Sequence, residues 1–416
     1  MRPAAPGRPM TAFASGAFER LAAVAPTSGA LAWLLVLCMI DAPAPVLAPL
    51  LVAGIGLAVA LAMTRHGAGW ASRRLLVRKL PLPLALFAAV ILINVALQEF
   101  LVDAISRPYF VNLLTLHILL LAWAWIATPR SAAAWREVHL WSWRLLALLT
   151  AIVILQAMVR ELLGTYLDVR LWITGVPSRS GVEEGTEGLR PTSMFAEPSN
   201  HAIITFLLAL VNRLTGTDPA AQSRSSAVAV VSCLVSASGI GLLLAAVLTV
   251  ELVVRLIAHA LRRGAAGPVA LGVLWTGSAL LAWSPQALEP QALQRIVEPS
   301  TGYDPLAVRA FVPARIWRFE PDEHLLGTGI ANYASLEQGL TLYDSSFALG
   351  AYYQAGVAAV AMLAWLVLAA TRRHSWAAAT LVMALLATKM SLIAPMFWGL
   401  CMLLDRGSRC PSLGRA

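Results

Sequence analysis

Apolar runs of membrane-spanning length recur along almost the whole chain, and no other feature of the sequence restricts the fold so severely. A bilayer core takes roughly 20 apolar residues per helix, and lipid demands that each segment satisfy its own backbone hydrogen bonds. Such runs fall near 23–41, 44–64, 80–98, 109–127, 140–159, 199–214, 227–238, 240–256, 268–284, 345–370, 375–389 and 391–405. They predict an all-α polytopic membrane protein of about 12 transmembrane helices. The composition agrees: 59% of the 416 residues are hydrophobic and 13% charged, against about 25% charged in soluble domains. Outer-membrane barrels alternate apolar and polar residues in segments of about ten, a pattern these runs do not follow. The runs at 227–256 and 375–405 read as two short spans each, with one long span as the alternative at either place.

The arginines fix an expected orientation. With both termini cytoplasmic, the inner side carries 21 of the 31 basic residues, and the outer side 17 of the 22 acids, as the positive-inside rule requires. The net charge of +9 is therefore a matter of topology and does not indicate nucleic acid. Residues 1–26 hold Arg2, Arg8 and Arg20 without a signal-peptide cleavage pattern and read as a cytoplasmic tail,. The chain then divides into spans 1–5 within residues 1–160, a first outer loop over 161–200, and spans 6–9 within 201–284. A second outer loop over 285–344 and the C-terminal spans with their tail over 345–416 complete it. Both loops contain aromatic residues, Trp172, Phe195, Phe311, Trp317 and Phe319 among them, and are expected to pack.

Polar chemistry concentrates in these two loops. Arg190 to Ala202, RPTSMFAEPSNHA, places an arginine, a glutamate and a histidine just before a span. Positive charge is discouraged on the outer side, so Arg190, Arg309, Arg315 and Arg318 ask for a reason; a guanidinium fork suits phosphate or carboxylate. The alternative is pairing with acids such as Glu183, Glu298, Glu320 and Asp322 on a solvated surface. Glu197 stands before Pro198 and Ser199, and reads equally as a helix-capping carboxylate or as a general base. His201, four residues on, would share its side of the helix, although a lone interfacial histidine is more often structural. The second loop ends with His324, a Gly327-Thr328-Gly329 turn and Asp344, after which Ser345 and Ser346 open a span as an N-cap would,.

Several chemistries have no signature here. The four cysteines, Cys38, Cys233, Cys401 and Cys410, show neither metal-ligand spacing nor a disulfide framework,. Walker-A, HExxH, paired CxxC and GxSxG motifs are missing from the sequence,. No metal or cofactor is expected.

Four blocks taken in order resemble the O-antigen polymerase and ligase superfamily, the Wzy-type polymerases and WaaL-type ligases of bacterial surface polysaccharide assembly. Arg190 to Ala202 resembles the family's Arg–x–(Ser/Gly)–x–Phe–x–Glu–Pro–Ser stretch. VSASGIGLLLAAVL at 235–248 resembles its Ser/Thr-rich turn between two short spans, but lacks the arginine often found there. Arg309 with Gly327-Thr-Gly329 eighteen residues later resembles its Arg…GxG loop, and 346–359 its following span with a mid-helix glycine, here Gly356. Together they cover roughly residues 190–370.

The resemblance implies a glycosyltransferase-C-like fold in the bacterial inner membrane with two large periplasmic loops. It implies a metal-independent enzyme that transfers a glycan from undecaprenyl pyrophosphate to a lipid-linked repeat unit, building O-antigen or exopolysaccharide. Its substrate would be an undecaprenyl-pyrophosphate-linked oligosaccharide, with a chain-length regulator and a flippase as partners. On this reading Glu197, Arg190 and Arg309 are catalytic. Arg190, Arg309, Arg315, Arg318, His201, His324 and Asp344 bind the pyrophosphate or glycan. Ligases of the family usually carry a histidine about eleven residues before the mid-helix glycine. Eleven before Gly356 stands Ser345, which favours a polymerase. An O-antigen ligase or protein oligosaccharyltransferase is the alternative, and a lipid-linked glycan transporter a third; transporters place polar residues at mid-membrane.

Overall fold

The computed structural model describes residues 86–90, 92–93, 132–175, 177–178, 190–216, 218–262, 312–328, 346–388, 400–401 and 403–404. Among them there are helices and no strands. Three helices are long and apolar enough to cross a membrane, over Val138–Leu163, Gly239–His259 and Phe347–Arg372. Arg309, Asp344 and the expected spans at 23–41, 44–64, 109–127 and 268–284 lie outside the described residues, as does most of 80–98 and 391–405.

Helix α1 spans Ala132–Leu163, and a short helix α2, Val169–Thr174, follows it within the first loop. Helix α3, Pro198–Thr215, opens where the sequence places a start: Glu197 occupies the N-cap with extended backbone, and proline stands in the first turn, where its missing N–H costs no hydrogen bond. Helix α4, Pro219–Val235, begins on Asp218, whose carboxylate accepts from the N–H groups of Ala220 and Ala221 at 2.9 and 3.2 Å. After a turn at 236–238, helix α5 runs over Gly239–Arg262. The run at 227–256 is thus two helices. The turn is closed by serine hydroxyls: Ser236 donates to the Cys233 carbonyl at 2.7 Å, and Ser238 accepts from the Gly241 N–H at 2.9 Å.

Specific contacts set the helix directions. Thr215 and His139 share a 3.3 Å hydrogen bond that brings the end of α3 to the start of α1. Arg213 of α3 lies 3.8 Å from Glu251 in the later part of α5. Helices α1 and α4 therefore run opposite to α3 and α5. Lipid offers helices no hydrophobic drive to associate, so small and hydrogen-bonding side chains mediate their packing. The buried face of α4 is of that kind, with Ser225, Ser226, Ala229, Ser232 and Cys233. Asn212 of α3 donates to Ser225 Oγ at 3.0 Å.

A second hairpin completes the core. Helix α7 spans Phe347–Arg373 and is N-capped by Ser346, whose hydroxyl accepts from Leu349 N–H. Helix α8, Trp376–Leu386, returns against it, and the Phe347 N–H donates to the Thr388 carbonyl at 2.7 Å. Helix α8 packs on α3 and α5. The second loop contributes a helical turn at 312–316 and a short helix α6, Pro321–Leu326, which packs on α7.

Of the loop aromatics expected to pack, Phe195 and Phe319 are buried. Trp172 and Trp317 are not, at 72% and 89% exposed. The expectation counted apolar side chains without knowing which way each short helix would turn. Phe311 lies outside the described residues.

Candidate functional site

Gln156 builds the first half of the site. It sits on α1, fully buried, and its amide faces the segment entering α3. Oε1 accepts from the N–H groups of Thr192 and Ser193 at 3.1 and 2.6 Å. Nε2 donates to the carbonyls of Leu167 and Ser193 at 2.8 and 2.9 Å. Two donors meet the oxygen and two acceptors the nitrogen, so the full capacity of the side chain is used. Ser193 is held at φ 56°, a left-handed conformation uncommon for a residue other than glycine, and its hydroxyl is buried without a hydrogen-bond partner.

A second polar group braces the same segment. Tyr166 and Thr192 hydroxyls share a hydrogen bond of 2.8 Å. Asp168 caps α2 through Leu171 N–H at 3.1 Å and accepts from both the N–H and the hydroxyl of Ser178, at 2.6 and 3.0 Å. The Arg170 guanidinium turns inward and donates to the Pro177 carbonyl. Burial pushes the Tyr166 phenol above its ordinary range, against the opposing effect of its hydrogen bonds to Ser178 and Thr192,. Sequence reasoning missed Gln156, Tyr166, Asp168 and Ser178. A polar residue inside an apolar run, Gln156 in VILQAMV, was the one signal available.

On this braced segment Arg190 and Glu197 are both partly exposed. The Glu197 carboxylate accepts from the Ser199 hydroxyl at 3.0 Å and makes no side-chain cap to the α3 backbone. It therefore holds the capping position without performing the capping bond. His201, one turn further, is fully buried. Its Nε2 pairs with Ser232 Oγ at 2.9 Å and Thr205 Oγ1 at 3.4 Å, and its ring lies against Phe195. Glu197 and His201 thus differ in setting: the carboxylate stands at the rim, and the imidazole ties α3 to α4 below it.

The described part of the second loop, 312–328, is docked on α7. His324 Nδ1 and the Tyr352 hydroxyl share a 2.8 Å hydrogen bond, and Phe319 packs its ring between His324 and Tyr353. Helix α7 is broken at Gly356, φ 54° and ψ −136°. The Thr328 N–H and hydroxyl both donate to the Tyr353 carbonyl, at 2.8 and 3.1 Å. That carbonyl belongs to the turn where the helical ladder is interrupted. The backbones touch so closely that a Cβ on Gly356 would come within 2.5–2.6 Å of the His324 and Leu325 carbonyl groups. A Cβ on Gly327, itself at φ 76°, would overlap the Gln354–Ala355 peptide.

Of the arginines expected to bind anions, Arg315 lies 3.6 Å from Glu323, whose other oxygen accepts from the Glu320 N–H at 3.0 Å. Arg318 is exposed. The structure thus brings Arg190 and Glu197 onto one fixed segment, and His324, Thr328 and Gly356 into one joint. Arg309 and Asp344 fall outside the described residues. Among the described residues no group of three His, Cys, Asp or Glu side chains could hold a metal ion. No family model, curated protein or solved structure matches the chain.

Proposed function

We propose that the chain is a polysaccharide polymerase of the bacterial inner membrane, with about twelve transmembrane helices in a glycosyltransferase-C-like arrangement. It would transfer a glycan from undecaprenyl pyrophosphate to a lipid-linked repeat unit at the periplasmic face. One observation supports this above the others. Arg190 and Glu197 stand partly exposed on a single segment that Gln156 fixes at the end of a span-length helix. A substrate tethered to a lipid meets the protein at that level.

In the reaction an acceptor hydroxyl attacks the anomeric carbon of the donor glycan. The bond from that carbon to the pyrophosphate oxygen breaks, and undecaprenyl pyrophosphate leaves with the electron pair. Negative charge grows on the leaving group, and fixed guanidinium groups stabilise it; Arg190, Arg309 and Arg315 take this role, with Arg318 in support. Glu197 accepts the hydroxyl proton or orients an arginine. His324 and Asp344 complete the set as glycan-binding groups, and His201, buried beneath the rim, acts as a positioning group that ties α3 to α4.

The test is the length distribution of surface and secreted polysaccharide, resolved by gel, in a deletion strain complemented with variants. Loss of the protein should leave single repeat units on intact carriers, and Arg190→Ala or Arg309→Ala should do the same at unchanged protein level. Normal polymer from both variants would refute the assignment. Long polymer held on the carrier would indicate a ligase, and repeat units retained inside the cell a transporter.

A further inference from the structure

We propose that helix α2 lies in the headgroup layer of the bilayer, with Leu171, Trp172 and Ile173 immersed among the lipids beside the end of α1. The inference rests on reading α1 as a membrane span and not on the glycan chemistry. It begins with an inversion of polarity. The two charged residues of this segment, Asp168 and Arg170, are buried, at 8% and 6% exposure, and bonded to Ser178 and Pro177. The three consecutive large apolar residues face out. An element in water turns the opposite way, because contiguous exposed apolar surface is unfavourable unless something covers it.

The helix that precedes α2 in the chain also turns large apolar side chains outward. Leu148, Leu155 and Leu162 of α1 are exposed at intervals of seven residues, close to two helical turns, so they form one stripe along the span. Such a stripe on a transmembrane helix faces acyl chains. It ends at Leu162 and Leu163, both exposed, beside the exposed-rim pair Arg160 and Glu161, 3.7 Å apart. Charged groups mark the level at which a span leaves the hydrocarbon. Beyond Leu163 the chain folds back, because the Leu167 carbonyl accepts from Gln156 about one turn before Arg160, so α2, beginning at Val169, starts near that level,. Tryptophan prefers this layer, with its ring among the chains and its N–H among the headgroups. The occupant is therefore the leaflet into which the C-terminal end of α1 emerges.

The experiment uses the full chain in phosphatidylcholine vesicles and compares the parent with Trp172→Phe, a change at an exposed position that keeps the site apolar. The difference between the two emission spectra isolates Trp172 from the other thirteen tryptophans. That difference emission should be blue-shifted, lose intensity when the vesicles carry acyl-chain-brominated lipid, and resist aqueous iodide. Quenching by iodide without quenching by brominated lipid would place the residue in water and overturn the proposal. Insensitivity to both quenchers would mean that protein covers it, and would overturn the proposal equally. The readout needs no turnover, so failure of the polymerase reading leaves this result intact.

Discussion

Gln156 grips both faces of Ser193, accepting from its N–H at 2.6 Å and donating to its carbonyl at 2.9 Å. One side-chain amide thereby imitates a strand neighbour and holds a serine in the left-handed region. Replacing it by leucine would leave the Thr192 and Ser193 N–H groups and the Leu167 and Ser193 carbonyls without these bonds in a buried place. Each such loss costs about 1–3 kcal/mol. Local relaxation and entry of water relieve part of the four losses, so Gln156→Leu should lower stability by roughly 4–5 kcal/mol, seen as a fall in the unfolding midpoint in detergent. Ser193→Gly should be neutral or stabilising by up to about 1 kcal/mol, and Ser193→Val destabilising, because only glycine takes this φ without strain.

The joint between α6 and α7 depends on two missing side chains. Gly356→Ala and Gly327→Ala each combine strain at positive φ with overlap onto backbone that cannot move aside. Strain of about 1–3 kcal/mol and overpacking of similar size act together. Each variant should release the 312–328 segment from α7, measured as new protease cleavage there in folded protein. An unchanged digestion pattern would show that the joint tolerates a methyl group.

Glu251 carries one negative charge between two arginines, 3.8 Å from Arg213 and in direct contact with Arg255. It is among the buried residues of α5. Removing one member of a buried ionic group leaves the others uncompensated, at a cost of about 3–5 kcal/mol. Glu251→Gln should therefore unfold at lower temperature than the parent. Adding Arg255→Met should recover part of the loss, because the excess positive charge is then smaller.

The Tyr166 phenol is raised by burial, so the folded state holds its proton more tightly than the unfolded chain. The associated stability is fully present below the ordinary tyrosine value near 10 and declines as pH rises through the folded value. Ultraviolet difference titration of parent against Tyr166→Phe should show its phenolate appearing at higher pH than that of an exposed tyrosine. Coincidence with exposed tyrosines would contradict the buried setting.

The parts of this structure legible in the sequence are those that local chemistry determines. Pro198 after Glu197 marks the start of α3, and Ser346 the start of α7. The serine-rich turn separates α4 from α5, and Gly356 stands out as a glycine in the middle of a span. The illegible parts depend on partners distant in sequence. Gln156 bonds backbone groups 36 and 37 residues away, and backbone partners leave no side-chain pattern to detect. Helix α2 has six residues, too few to show a period, so the outward turn of Trp172 could not be read. The Glu197 carboxylate occupies the expected position but bonds Ser199, a choice between two nearby hydrogen-bond donors that spacing does not decide.

The break at Gly356 also bears on how the protein is made. The peptide that caps it, ending at Thr328, precedes α7 in the chain, and a ribosome delivers it first. The donors for the Tyr353 carbonyl therefore exist before that carbonyl is synthesised. The interruption of α7 thus asks for a partner already synthesised, and not for one still to come from the ribosome.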